Sequence, residues 1–168
     1  MRPYLPGSQG GNNNGTNYGG GALFIEVADR IVNAGVISAN GNSGGSSHGG
    51  GSGGSVWIAC ARLKGLPGSS VTANGGANNS GAGAGGGGRI LVCERLTAEQ
   101  IDTLWADATA PAKATVTEIT DENVSEFYAG TLTAAGGVSS GSKDVYSGTA
   151  GTVRWIRGPE LGTIFFVQ

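Results

Sequence analysis

Short apolar runs recur along this chain with a strict two-residue alternation, each preceded by paired glycines. Leu23, Val56, Ile90 and Val153 open the four runs, and Ile25, Ile58, Val92 and Trp155 follow two positions later. Phe24, Trp57, Leu91 and Arg154 take the intervening place. A period of two puts successive side chains on opposite faces of an extended strand, and runs this short and β-branched between glycines predict strands. A second, smaller run follows each of the first three, as Ile37-Ser38-Ala39-Asn40-Gly41, Val71-Thr72-Ala73-Asn74-Gly75 and, late, Leu132-Thr133-Ala134-Ala135-Gly136.

The unit returns at a fixed interval. Ala22 to Ser55 is 33 positions and Ser55 to Arg89 is 34. Such an interval predicts stacked repeats, none of which buries its apolar face alone. Stacked in parallel, the Leu23 and Ile25 columns form the core, at roughly 1.5–3 kcal/mol per buried aliphatic side chain. A one-residue slip would turn every one of them outward. The expected fold is all-β, a right-handed parallel β-helix or solenoid-like stack with glycine-rich loops and one short helical insertion. Residues 1–168 form a single domain in this reading, with 1–19 an extended N-terminal segment and 157–168 a C-terminal strand.

The insertion, 97–126, opens with Thr97-Ala98-Glu99-Gln100, the spacing of a capping box, and puts Ile101, Leu104 and Trp105 on one helical face. A short helix ending before Pro111 is expected, with a further strand near Val116 and Ile119.

Composition narrows the functional classes. Of 168 residues 34 are glycine, 13% are charged and the net charge is −2. No basic stripe supports nucleic-acid binding and no apolar run is long enough to cross a bilayer. Residues 1–6 lead directly into polar glycine sequence without the order of a secretion signal, so the signal is expected to have been removed, the chain to be a piece, or assembly to occur inside a cell. A strict G-X-Y period is lacking, which excludes collagen.

Candidate chemistry is sparse. Cys60 aligns with Val27 and Glu94, whereas Cys93 aligns with Glu26 and Ala59. Opposite parity predicts no bridge, since a disulfide needs facing Cβ vectors; Cys60 becomes a small buried residue and Cys93 a free outer thiol. Two cysteines without a paired spacing, and a single histidine, do not make a zinc site. His48 beside Ser46 and Ser47 lacks the rigid orientation a nucleophile–base pair needs. Gly85–Gly88 precedes a strand and no Gly-Lys-Ser/Thr follows, which excludes a phosphate loop. The tracts also lack the acids of calcium-binding nonapeptides. No cofactor is expected.

Glu118, Asp121, Glu122 and Glu126 gather in the insertion, where a solvated acidic loop is preferred over a paired-carboxylate active site. Arg30, Arg62 and Arg95 recur after each first strand, with Asp29 and Glu94 as their expected partners. The outward column Phe24, Trp57, Leu91 is the candidate interface or ligand stripe: either the helix around Ile101 or folded-back glycine tracts cover it, or a subunit or sugar meets it.

The unit ending Gly-Gly-Gly-Gly-Arg89-Ile90-Leu91-Val92, with Val71-Thr72-Ala73-Asn74-Gly75-Gly76 and Gly148-Thr149-Ala150-Gly151-Thr152-Val153, resembles the glycine-rich repeats of large bacterial surface proteins. The resemblance spans about Gly20 to Ile156, the insertion excepted, and implies a β-helical stalk without enzymatic activity. A weaker likeness is to glycine-rich receptor-binding tips of phage tail fibres, where it implies packed polyglycine II helices. Three functional expectations follow. The first is an extracellular or cell-surface structural or adhesive module, a homo-oligomer or filament subunit joined through the candidate assembly strand Ile164, Phe165, Phe166, Val167. The second is a carbohydrate-binding or carbohydrate-active β-helix recognising a surface glycan. The third is a phage receptor-binding tip.

Overall fold

The computed structural model describes residues 5–11, 17–45, 48–78, 82–97, 99–101, 117–119, 128–140 and 146–159. The first runs of the repeats form β1 (Ala22–Glu26), β4 (Ser55–Cys60), β7 (Arg89–Glu94) and β10 (Thr152–Arg157). These pair in parallel in that order, and β8 (Thr117–Ile119) adds antiparallel to β10. A two-stranded sheet joins β2 (Arg30–Asn33) to β5 (Arg62–Gly65), and a three-stranded sheet joins β3 (Val36–Ser38), β6 (Ser70–Thr72) and β9 (Thr131–Thr133). The protein is predominantly β, and every pairing between repeats is parallel.

The register follows the glycine alignment. Ala22 stands against Ser55, Ser55 against Arg89, and Thr152 against Arg89. The inward column therefore carries Val56, Ile58, Ile90, Val92 and Trp155, all at most 1% exposed. Val71 of the third sheet, with Ala39, Ala73 and Ala134 just past the ends of its strands, closes the same core. Leu23, in the edge strand β1, belongs to the inward column but is 37% exposed, because no described rung lies beyond it.

Tyr128 completes the core where the two-stranded sheet stops. It is fully buried, bridges to Gly65 in parallel, and packs edge-on against Trp155 with ring centroids 6.1 Å apart. A Cβ on Gly65 would lie 2.5 Å from its ring, so only glycine admits the tyrosine there. Asn33 Nδ2 donates to the tyrosine hydroxyl at 2.6 Å.

The Ala-Asn-Gly motif has a direct role. Asn40 Oδ1 accepts the Asn74 backbone N–H at 2.7 Å, and Asn74 Oδ1 accepts the Ala135 N–H at 2.8 Å. Each side chain thus ties its rung to the next at the point where the strand gives way to a glycine tract. Ala135 holds the corresponding place in the third copy, where the ladder stops.

The glycine tracts are not loops in the described residues; they are a bundle of extended, hydrogen-bonded segments. In 49–54 the donors rotate with a period of three. Gly49 and Ser52 donate to Gly11 and Ser8, Gly50 and Gly53 to Gly83 and Gly86, and Gly51 and Gly54 to Asn42 and Ala39. A three-residue turn without internal hydrogen bonds is the polyproline II rotation, and three outward directions are what polyglycine II packing requires. Close approach, not left-handed backbone, is the reason for glycine: among the described glycines only Gly68 has positive φ, whereas a Cβ on Gly54 would sit 2.0 Å from Gly21 O. The N-terminal segment is part of this bundle. Gly7 and Gly10 donate to Gly20 and Asn17, folding residues 5–11 back along 17–21.

Thr97 and Gln100 form the expected capping box: Gln100 N–H donates to Thr97 Oγ1 at 3.1 Å, and Thr97 N–H donates to Gln100 Oε1 at 2.9 Å. The helix turn at 99–101 follows, and β8 is the strand expected near Ile119. Leu104, Trp105, Val116, Asp121, Glu122, Glu126 and the assembly strand Ile164–Val167 lie outside the described residues, as does all of 157–168 beyond Pro159.

Candidate functional site

The outer face of the five-stranded sheet holds the stripe that the parity singles out. Register brings Phe24 beside Trp57, Trp57 beside Leu91, and Leu91 beside Arg154. The structure covers the middle of it. Trp57 is 2% and Leu91 7% exposed, packed with Ala59, Cys93 and Ile156 beneath Leu96 and Ile101. Phe24, at 40%, remains open and meets Trp57 edge-on, 5.6 Å between centroids. The capping box explains the cover: it turns the chain at Thr97 so that Ile101 comes back over the sheet. Within this stripe Phe24 is the exposed aromatic, and Trp57 is not available for stacking.

Beside this cover lies a depression of about 530 Å³, lined by Glu26, Val27, Ala28, Ala59, Cys60, Ala61, Arg95, Leu96 and Ile101. It sits at the corner where the first sheet ends. Arg95 makes that corner with a φ of 54°, a left-handed conformation that costs a non-glycine residue of order 1 kcal/mol. Its N–H is held by Cys60 O at 3.0 Å.

Both cysteines are free and buried, and they face opposite sides of the sheet, Cys60 in the core and Cys93 in the outer cluster. Cys93 is thus a free thiol on the outer face, as expected, but a buried one, because Leu96 and Ile101 pack over that face. Burial pushes Cys60 up to about 12, helped by the Glu94 carboxylate and opposed by the Arg62 N–H. Burial likewise pushes Cys93 up to about 11, against the Trp57 indole N–H and the Arg154 charge. Neither thiol is a thiolate nucleophile near neutral pH.

Glu94 departs most from expectation. It does not pair within the arginine ladder; Arg157 reaches it instead, with Nε 2.6 Å and Nη2 2.5 Å from Oε2. Oε1 accepts the Leu63 N–H at 2.6 Å, and the side chain is 1% exposed. The reason is register: Arg157 stands beside Glu94 across β7 and β10, on the inward side. Arg30 and Arg62 do stand in register, but Arg95 leaves the ladder at its left-handed turn. His48 contributes its backbone carbonyl, which accepts from the fully buried Asn78 side chain.

Among the described residues no group of three or more His, Cys, Asp or Glu could hold a metal ion, and no helix is long and apolar enough to cross a membrane. Glu118 lies in β8, antiparallel to Ile156. Sequence reasoning missed Tyr128, Asn78 and the Glu94–Arg157 pair. Only the last left a signal: both residues close their runs at one parity position.

Compared with protein-family models, curated proteins and solved structures, the chain matches none of them.

Proposed function

We propose that the chain is an extracellular structural or adhesive module, the parallel-paired strands of its three sheets forming the faces of a right-handed β-solenoid. Parallel crossovers are right-handed in nearly all folds, which supports the hand. The observation that carries the reading is the redundancy of the rung-to-rung bonding: three sheets, the Asn40–Asn74–Ala135 ladder and the glycine bundle all tie neighbouring repeats together. Such a construction spends its residues on rigidity. Among the described residues Glu94 is committed to Arg157, and both cysteines are packed in apolar clusters.

End-to-end stacking is part of this reading. The edge at β1 exposes Leu23, Phe24 and Val27, with Val32 and Val36 exposed in β2 and β3. Edges of this kind recruit further strands unless covered. At the far end β8 runs along β10, so a copy joining the first sheet has the β1 edge to use. The test is immunogold labelling of intact source cells, with negative-stain imaging of the purified chain. Surface label is the expected result; label confined to the cell interior overturns the reading.

A receptor-binding tip of a phage fibre is the second reading, favoured by the three-residue hydrogen-bond period of the glycine segments. It requires that the labelled chain bind whole bacterial cells saturably. Absence of binding across a panel of hosts counts against it.

A further inference from the structure

Among the described residues asparagine precedes glycine twice, at Asn40-Gly41 and Asn74-Gly75. Asparagine is a thermolabile residue. A following glycine makes it more so, because no side chain shields the backbone nitrogen that attacks it. In that reaction the glycine nitrogen gives up its proton and forms a bond to the asparagine Cγ, and the side-chain nitrogen takes up a proton and leaves as ammonia. Solvent water then opens the cyclic imide on one side or the other, leaving aspartate or isoaspartate.

The stack ties down both partners of this reaction. The Asn74 main chain holds the first pair: its N–H donates to Asn40 Oδ1 at 2.7 Å, and its carbonyl accepts the Gly41 N–H at 2.8 Å. Ala135 holds the second pair in the same way, its N–H on Asn74 Oδ1 at 2.8 Å and its carbonyl on the Gly75 N–H at 2.8 Å. Nucleophile and electrophile are each fixed to the next rung, and neither turns toward the other without breaking a hydrogen bond. The third copy, Ala135-Gly136, lacks this clamp: among the described residues the Gly136 N–H donates to no group. Alanine, which has no amide to lose, stands there in place of asparagine. The three sites are otherwise alike. Asn40 and Ala135 are exposed, and Gly41, Gly75 and Gly136 are half-buried. A Cβ on these glycines would lie 2.1 Å from Gly51 O, 2.0 Å from Gly85 O and 1.9 Å from Gly148 O. Exposure and packing do not separate them; the clamp does.

We propose that Asn40 and Asn74 are latent deamidation sites, held inert by the main chain of the next rung and released when that rung unstacks. Isoaspartate adds a carbon to the backbone, and a stack whose register admits no slip does not accept it. A chain that stays unfolded is therefore marked chemically at the ends of β3 and β6 and does not restack, so unfolding becomes irreversible. The folded chain, by contrast, carries its two labile bonds without ageing at them. This device lies in the rung itself and does not rest on a cell-surface location.

Peptide mapping by mass spectrometry tests this, on the purified chain incubated at mildly alkaline pH, folded and in denaturant. Both sites should convert in denaturant and about tenfold or more slowly in the folded chain, the retardation that two hydrogen bonds supply. Ala135→Asn puts the same labile pair on the rung that has no clamp. It should convert in the folded chain at close to the denatured rate, while Asn40 and Asn74 stay intact in the same sample. Conversion of Asn40 or Asn74 at equal rates in both states overturns the proposal, and so does an Ala135→Asn site as inert as those two. If Ala135→Asn does not fold, amide exchange on the parent chain replaces it. Gly41 and Gly75 should then be protected and Gly136 not; equal exchange at all three overturns the proposal.

Discussion

Arg157 clamps the Glu94 carboxylate from the neighbouring strand, Nε at 2.6 Å, while the other oxygen holds the Leu63 N–H at 2.6 Å. One buried side chain thus joins the last two rungs of the first sheet to the end of the second. Removing one member leaves an uncompensated buried charge, which costs about 3–5 kcal/mol. Glu94→Gln should lower the free energy of unfolding by that order in a denaturant titration. The double variant Glu94→Leu with Arg157→Met should recover most of it, since a well-packed apolar pair avoids the desolvation.

The Asn ladder makes a smaller, graded prediction. Asn74→Ala removes the acceptor of the Ala135 N–H and should cost about 0.5–1.5 kcal/mol, the net worth of one hydrogen bond. Asn40→Ala should cost a similar amount, through the Asn74 N–H. Chemical denaturation of the two variants measures both.

Glycine content does not predict glycine importance. Gly54→Ala drives a Cβ to 2.0 Å from Gly21 O and should abolish cooperative thermal unfolding, because the obstacle is backbone. Gly21→Ala meets nothing within 4 Å and should change stability by about ±0.5 kcal/mol. Circular dichroism melts of the pair discriminate the two.

The cysteines set an alkaline limit. Cys60 rises from 9.0 to about 12 and Cys93 from 9.0 to about 11 on burial, so the folded chain holds protons that the unfolded chain releases. Their contribution is complete below pH 9.0 and is lost as pH climbs through the raised values. Stability should therefore fall above pH 9.0, less steeply in Cys60→Ala than in the parent, and a thiol reagent at pH 8 should label neither cysteine without denaturant.

Much of the fold was legible in the alternation of apolar positions. Val56 with Ile90 and Trp57 with Leu91 pair as the glycine alignment requires, because a parallel stack repeats one environment and so repeats one residue type. The opposite parity of Cys60 and Cys93 was legible for the same reason. The capping box was legible because it is local, satisfied within four residues.

The candidate stripe was legible only as a direction. Trp57 and Leu91 do point outward, yet whether an outward face meets solvent depends on what a distant segment does, here Leu96 and Ile101. Glu94 and Arg157 are separated by 63 positions that include the whole insertion, so no local pattern announces their pairing. Tyr128 follows that insertion and fills the place of a strand, a substitution of shape that no repeat encodes.

The glycine tracts mark the boundary most clearly. Their composition determines that backbones can approach to hydrogen-bonding distance without side chains between them. Which tract each one meets is decided by the stacking of the strands on either side, because a segment with three identical bonding directions carries no partner preference of its own. From sequence alone come the rung, its register and its inward face, since periodicity is a local property written residue by residue. The neighbours of 49–54, the roof over Trp57 and the clamp on Glu94 come from the tertiary structure, since each depends on distances that exist only once the rungs are stacked.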